Sequence, residues 1–187
     1  MAVNTQNASR YIRQAVETWS SVQNHDLGFE FIDRSTGKKY RYVKLAAAVT
    51  STGVVSDGTP LGAYIANANA THTLNNVSAD ASLAQSVPTG VARGLATATN
   101  CYGFMEVIDQ SLETTVNVTW DAIIAGSLLN WDGDGYLNSV DPATLNTTGI
   151  AASIVAIAVD SHRISYSRNS VLLTTAQSVT PVFVRWL

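Results

Sequence analysis

Beyond Gly28 the apolar residues of this chain recur every second position, in short runs broken by Gly, Asn, Asp and Ser. A period of two is that of an extended strand, whose successive side chains point to opposite faces. "FEFID" and "KYRYVKL" flank "RSTGK", a hairpin whose Gly37 suits the positive φ of a tight turn. In the second arm Tyr40, Tyr42 and Lys44 point one way and Arg41, Val43 and Leu45 the other. Further strands are expected at 61–65, 90–98, 103–108, 115–120, 128–131, 136–138, 154–159, 170–174 and 181–186. They are short and rich in Val, Ile, Thr and aromatics. The pattern predicts an all-β chain, a single β-sandwich or barrel-like domain over residues 28–187. A length of 187 residues is enough to bury a core of its own.

Residues 1–27 follow another period. Ala8, Tyr11, Ile12, Ala15, Val16 and Trp19 fall on one face of a helix, and Ser9, Arg10, Arg13, Gln14, Glu17 and Thr18 on the other. Asn7 is placed to cap it. A helix of about a dozen residues is marginal alone and must lay its apolar stripe on something. Two hosts are open, its own β-domain or another subunit. In the second case Tyr11, Ile12, Val16 and Trp19 are the contact residues, with Trp19 the anchor. Between the strands, residues 66–90 are small and polar with weak periodicity. They read as an excursion over the surface, or else as an irregular pair of strands around "THTLNNV".

Charged residues make up 13% of the chain while apolar ones reach 46%. Thr, Ser, Asn and Ala fill the difference, giving a quiet surface of the kind that faces neighbouring subunits. A net charge of −3 provides no broad basic field, so nucleic acid is not expected as a partner. No apolar run reaches the roughly 20 residues that cross a bilayer, and the start lacks the pattern of a signal peptide. The expectation is a protein made in a cytoplasm and soluble there, with no membrane partner. Cys101 is the only cysteine, which excludes an intrachain disulfide and a cysteine-based zinc site.

The most pointed stretch chemically is "NWDGDGYLNSVD", residues 130–141. As a calcium loop it places oxygen side chains at positions one (Asn130), three (Asp132), five (Asp134), nine (Asn138) and twelve (Asp141), with Gly135 at the bend. Yet such loops begin with Asp and lie between helices, and neither flank is helical. Two Asp-Gly pairs between apolar runs predict a hairpin, and no metal site is assigned. His25, His72 and His162 do not combine at ligand spacing. Asp160 and His162 beside Ser161 or Ser165 make a set too local for a hydrolytic triad. Glu106, Asp109 and Glu113 carry no glycosidase context, and Glu106 reads as a charge at a strand edge. No catalytic residue and no cofactor are expected.

Taken in order, several stretches resemble a known family. "YRYVKLAAAV" is followed by "STGVVSDGTPLG", then by "PTGVARGLATATNCYGFMEVIDQSLETTVNV", "AGSLLNWDGDGYL" and "IVAIAVDS". This order, over roughly residues 28–175, resembles the head decoration (cement) proteins of tailed bacteriophages. "DQSLET" and Ala156 stand where that pattern carries Gly, and the N-terminal helix has no match in it. The resemblance implies a non-enzymatic virion protein, often a homotrimer. Such a protein binds the major capsid protein on the outer surface of the head and stabilises the shell. Tyr11, Ile12, Val16 and Trp19 are then the capsid or subunit contact. The alternative is a phage fibre-type or carbohydrate-binding β-module, in which an exposed Trp131 and Tyr136 would stack on sugars.

Overall fold

A computed structural model describes residues 12–47, 54–64, 75–80, 88–108, 113–118, 123, 125–131, 137–140, 154–159 and 180–186. Tyr11, the expected strand at 170–174 and the loop residues 132–136 and 141 lie outside them. The described chain is all β, built from two sheets that each close on themselves.

The first sheet takes β1 (Glu30–Ile32), β2 (Lys39–Ala47), β3 (Pro60–Ala63), β4 (Asn76–Ser78), β5 (Pro88–Ala92) and β6 (Cys101–Val107). Its order is β1-β2-β4-β3-β5-β6, and β6 pairs back onto β2 from Tyr40↔Glu106 to Leu45↔Cys101. Strand β2 is long enough to serve three neighbours. Along one edge lies β6; along the other lie β1, antiparallel at 39–41, and then β4, parallel at 44–47. Five strands thus form a ring with β1 as an appendage.

Alternation along β2 explains how the ring fills. Val43 and Leu45 point inward and meet Leu61, Val77, Ala92, Cys101 and Met105, one or more from every strand of the ring. Each large aliphatic side chain buried there contributes on the order of 1.5–3 kcal/mol. Tyr40 and Tyr42 point outward and pack with Phe104 beneath Leu27, Phe29 and Phe31. Both faces of β2 are therefore covered, in place of the half-solvated strand that alternation alone suggests.

The second sheet is a closed barrel in the order β10-β11-β7-β9-β8. It contains β7 (Glu113–Val118), β8 (Leu128–Trp131), β9 (Leu137–Ser139), β10 (Ile154–Ala158) and β11 (Thr180–Trp186). Inside it Val116, Ile123, Leu129, Trp131 and Leu137 pack with Ala156 and Ala158. Small side chains on β10 leave room for the indole of Trp131, as a narrow barrel requires. Val91 and Ile108, from β5 and the residue after β6, join this second core and tie the two sheets together.

Two expectations change. No helix occurs among the described residues, so the predicted helix is absent from Ile12 to Trp19; its earlier part lies outside them. Of the two readings of residues 66–90, the surface excursion fails at 76–78, where the alternative of strands around "THTLNNV" is met in part. Residues 76–78 are β4, inserted between β2 and β3, with Val77 and Ala79 fully buried.

Candidate functional site

Strands β5 and β6 pair only from Gly90↔Val107 to Ala92↔Met105 and then diverge. The N-terminal segment enters the gap they leave. Thr18 bridges Leu95 in parallel sense and Ser20 bridges Tyr102 in antiparallel sense. The Ser20 and Tyr102 amides each donate to the other's carbonyl, at 2.9 and 2.7 Å. Beyond Leu95, Ala96 exchanges amide bonds with Val55, so the widened end of the ring is bonded across.

Trp19, between the two bridges, turns inward onto the first core. Two glycines make that possible. A Cβ on Gly103 would fall within the Trp19 ring, and one on Gly94 would strike the Glu17 carbonyl. Gly94 also holds φ +77°, a conformation costly for other residues. The indole N–H donates to the Arg93 carbonyl at 2.8 Å. Ile12 and Val16 pack on the opposite, outward face, against the aromatic cluster. The stripe read as helical is thus divided between two cores, with only a single turn (Thr18 N–H to the Ala15 carbonyl, 3.1 Å) in between.

Gln14 is the polar hub of this segment and is buried. Its amide nitrogen donates to the carbonyls of Tyr102, at 2.9 Å, and Thr18. Its oxygen accepts from the Tyr42 hydroxyl at 3.0 Å and the Asn24 amide at 2.9 Å. All four bonding positions of the side-chain amide are used. The Tyr42 hydroxyl accepts in turn from the Asn24 backbone N–H at 3.0 Å, and burial raises its pKa. His25 lies flat on Phe29, ring centroids 5.0 Å apart, and edge-on to Tyr42 at 5.1 Å. Its Nε2 accepts the Arg13 backbone N–H at 2.9 Å.

Under the same face runs a chain of charges. Glu106 is 2% exposed and accepts from Arg93 Nε at 2.7 Å, Arg93 Nη2 at 2.6 Å and Lys38 Nζ at 3.0 Å. Asp57 lies 3.7 Å from Arg93 Nη1 and accepts the Gly94 N–H at 2.9 Å. The strand-edge reading of Glu106 is corrected: β6 has neighbours on both sides, and a carboxylate buried there is tolerated because two cations compensate it. At the rim, Glu30 pairs with both Lys39 and Arg41 at 2.6 Å, and these bonds lower its pKa.

The stretch at 130–141 is flanked by β8 and β9, with Asn130 opposite Asn138 and Trp131 opposite Leu137. Hairpin pairing is what two Asp-Gly turns predict. Trp131 is only 5% exposed, so it offers no stacking face, and the expectation of an exposed sugar platform at this residue is withdrawn. Asp109, Asp160, Ser161, His162 and Ser165 lie outside the described residues. Among the described ones, no three His, Cys, Asp or Glu side chains gather as a metal site would require.

Sequence reasoning missed Gln14, His25, Arg93, Gly94 and Gly103 as a working group. Their partners stand up to 88 residues away, and nothing local marks them. Only the oddity of Glu106 inside the apolar run "CYGFMEV" hinted at a buried charge.

No protein-family model matches this chain, and no curated protein matches it. Among solved structures it is similar to the head fiber gp8.5 N base of bacteriophage phi29. That likeness has a TM-score of 0.46 and 13% identity, and covers 79% of this chain and 94% of that one.

Proposed function

We propose that this chain is a structural virion protein without enzymatic activity, a decoration protein bound to the outer surface of a phage head. The observation that carries the reading is the ordered set of stretches resembling the decoration family, and where those stretches fall. "PTGVA" is β5, "CYGFMEV" is β6, "LLNW" is β8 and "IVAIA" is β10, so the resemblance follows framework strands of both closed sheets in chain order.

The partner in this proposal is the major capsid protein, together with two further copies of the chain in a homotrimer. Among the described residues both sheets close on themselves, so the copies of the trimer would meet through side-chain surfaces and not by pairing strand edges. Binding the assembled lattice and not free subunits would stabilise the shell by mass action. Tyr11, Ile12, Val16 and Trp19 remain the proposed contact region. Ile12 and Val16 are half-buried, with surface left for a partner, whereas Trp19 is engaged with its own ring.

Quantitative mass spectrometry of purified particles tests the reading. A fixed, high ratio to the major capsid protein is expected. Absence from particles would overturn it, and a few copies per particle would favour a fibre component. Light scattering should give a trimer, three times 19.9 kDa. A lone monomer at micromolar concentration would remove the trimer from the proposal.

A further inference from the structure

We propose that His25 is a proton-operated clasp: its neutral ring holds the start of the N-terminal segment on the aromatic face, and its protonation releases Ile12 and Arg13. The clasp stands independently of the capsid reading.

The geometry carries it. Nε2 of His25 accepts the backbone N–H of Arg13 at 2.9 Å, so the ring proton sits on Nδ1. Adding a proton to Nε2 turns an acceptor into a donor that faces another donor, and the bond is lost. The imidazole is also enclosed by Phe29 at 5.0 Å, Tyr42 at 5.1 Å and Phe104 at 5.5 Å. Ile12 rests on the same cluster, one residue before the clasped amide.

Among the described residues two charged groups act on the ring. Burial, the largest effect, and Arg13, on the segment itself, both disfavour the cation, and Asp26, beside His25, favours it. From β2 comes the Tyr42 hydroxyl, held by Gln14 and Asn24, and from β6 only the Phe104 ring. The result is a His25 pKa below its usual 6.5. A group whose folded pKa is depressed stabilises the fold above its unfolded pKa. That contribution fades as pH falls from 6.5 through the folded value, so the clasp is closed near neutrality and opens on acidification.

The rest of the segment is not released with it. Gln14 keeps its four bonds, and Ser20 keeps its bridge to Tyr102. Opening is therefore confined to the point where the chain meets the aromatic face. It would uncover the Phe29–His25 stack.

Amide exchange by NMR on the full chain, corrected for intrinsic rates, reads this directly. As pH is lowered from about 7.5 through the His25 ring titration, Arg13 amide protection should fall by about tenfold or more, with the same midpoint as the ring. The Tyr102 amide, bonded to Ser20, should stay protected throughout. His25→Phe keeps an aromatic ring without an acceptor, so its Arg13 amide should be poorly protected at every pH. Asp26→Asn removes the anion that favours the charged ring and should move the midpoint to lower pH. Unchanged Arg13 protection across the His25 titration overturns the proposal. So does an equal pH-dependent fall in His25→Phe. If His25→Phe fails to fold, the coincidence or separation of the two wild-type midpoints decides.

Discussion

The two closed sheets are held by different means. The first is finished by a foreign segment: Thr18–Ser20 fills its splayed end, Trp19 plugs its interior, and Gln14, Arg93 and Glu106 lock both by hydrogen bonds and charge. The second is filled by apolar side chains, large on β8 and β9 and small on β10. Its one buried unpartnered side-chain nitrogen among the described residues is that of Trp131. A polar lock is directional, and removing one member strands the others. Apolar packing is tolerant, and a lost group costs mainly its own volume. The same class of substitution should therefore cost more in the first sheet than in the second.

The largest effect is expected at Glu106. Glu106→Gln keeps the volume but leaves Arg93 and Lys38 facing each other without their shared carboxylate. Breaking a buried pair from one side costs about 3–5 kcal/mol, which urea unfolding should show as a lower midpoint. A shift under about 1 kcal/mol would mean that water reaches both cations, and the polar-lock account of the first sheet would fail.

Next is Trp19→Ala, which should cost about 3 kcal/mol by opening a cavity between Gly103 and the first core. The residue should behave as part of the ring, so the variant loses thermal stability. A variant that keeps its stability and fails only in particle binding would make Trp19 a docking anchor. Tyr42→Phe is milder. It leaves the Asn24 N–H and the Gln14 oxygen each short of a partner, at about 1–3 kcal/mol.

How much of this was legible depends on whether the signal was local. Residues 128–131, 103–108 and 154–159 alternate or run apolar within themselves, and strands stand there. β4 carries a single apolar residue, Val77, among polar neighbours, so the sequence left strand and surface loop both open there. The N-terminal stripe misled for a physical reason. Ile12 and Val16 serve one face and Trp19 the other, and a strand entering between two cores can show apolar residues at helical spacing. The slot that decides the matter is Gly103, 84 positions beyond Trp19, which no periodicity reports. Glu106 stands out only as a charge in an apolar run and Arg93 not at all, and the β5–β6 pairing is what brings them together.

The finest test makes one substitution in both sheets. Trp19 and Trp131 are both packed against cores, but the Trp19 indole donates to the Arg93 carbonyl at 2.8 Å while that of Trp131 has no partner among the described residues. Changing either to Phe removes a ring and an N–H. At Trp19 the change also removes the bond to the Arg93 carbonyl, so the lost packing and the lost bond add. At Trp131 it removes a polar group whose burial already costs about 1–3 kcal/mol, and this offsets the lost packing. Trp131→Phe should thus fall within about 1 kcal/mol of wild type, and Trp19→Phe should be about 2 kcal/mol worse. The difference between the variants is the informative quantity, because the half-buried Trp19 has less area to lose than the buried Trp131 and should still cost more. Equal costs would mean that the Trp131 nitrogen is satisfied in solution, and the contrast between a polar-locked ring and an apolar-packed barrel would lose its sharpest support.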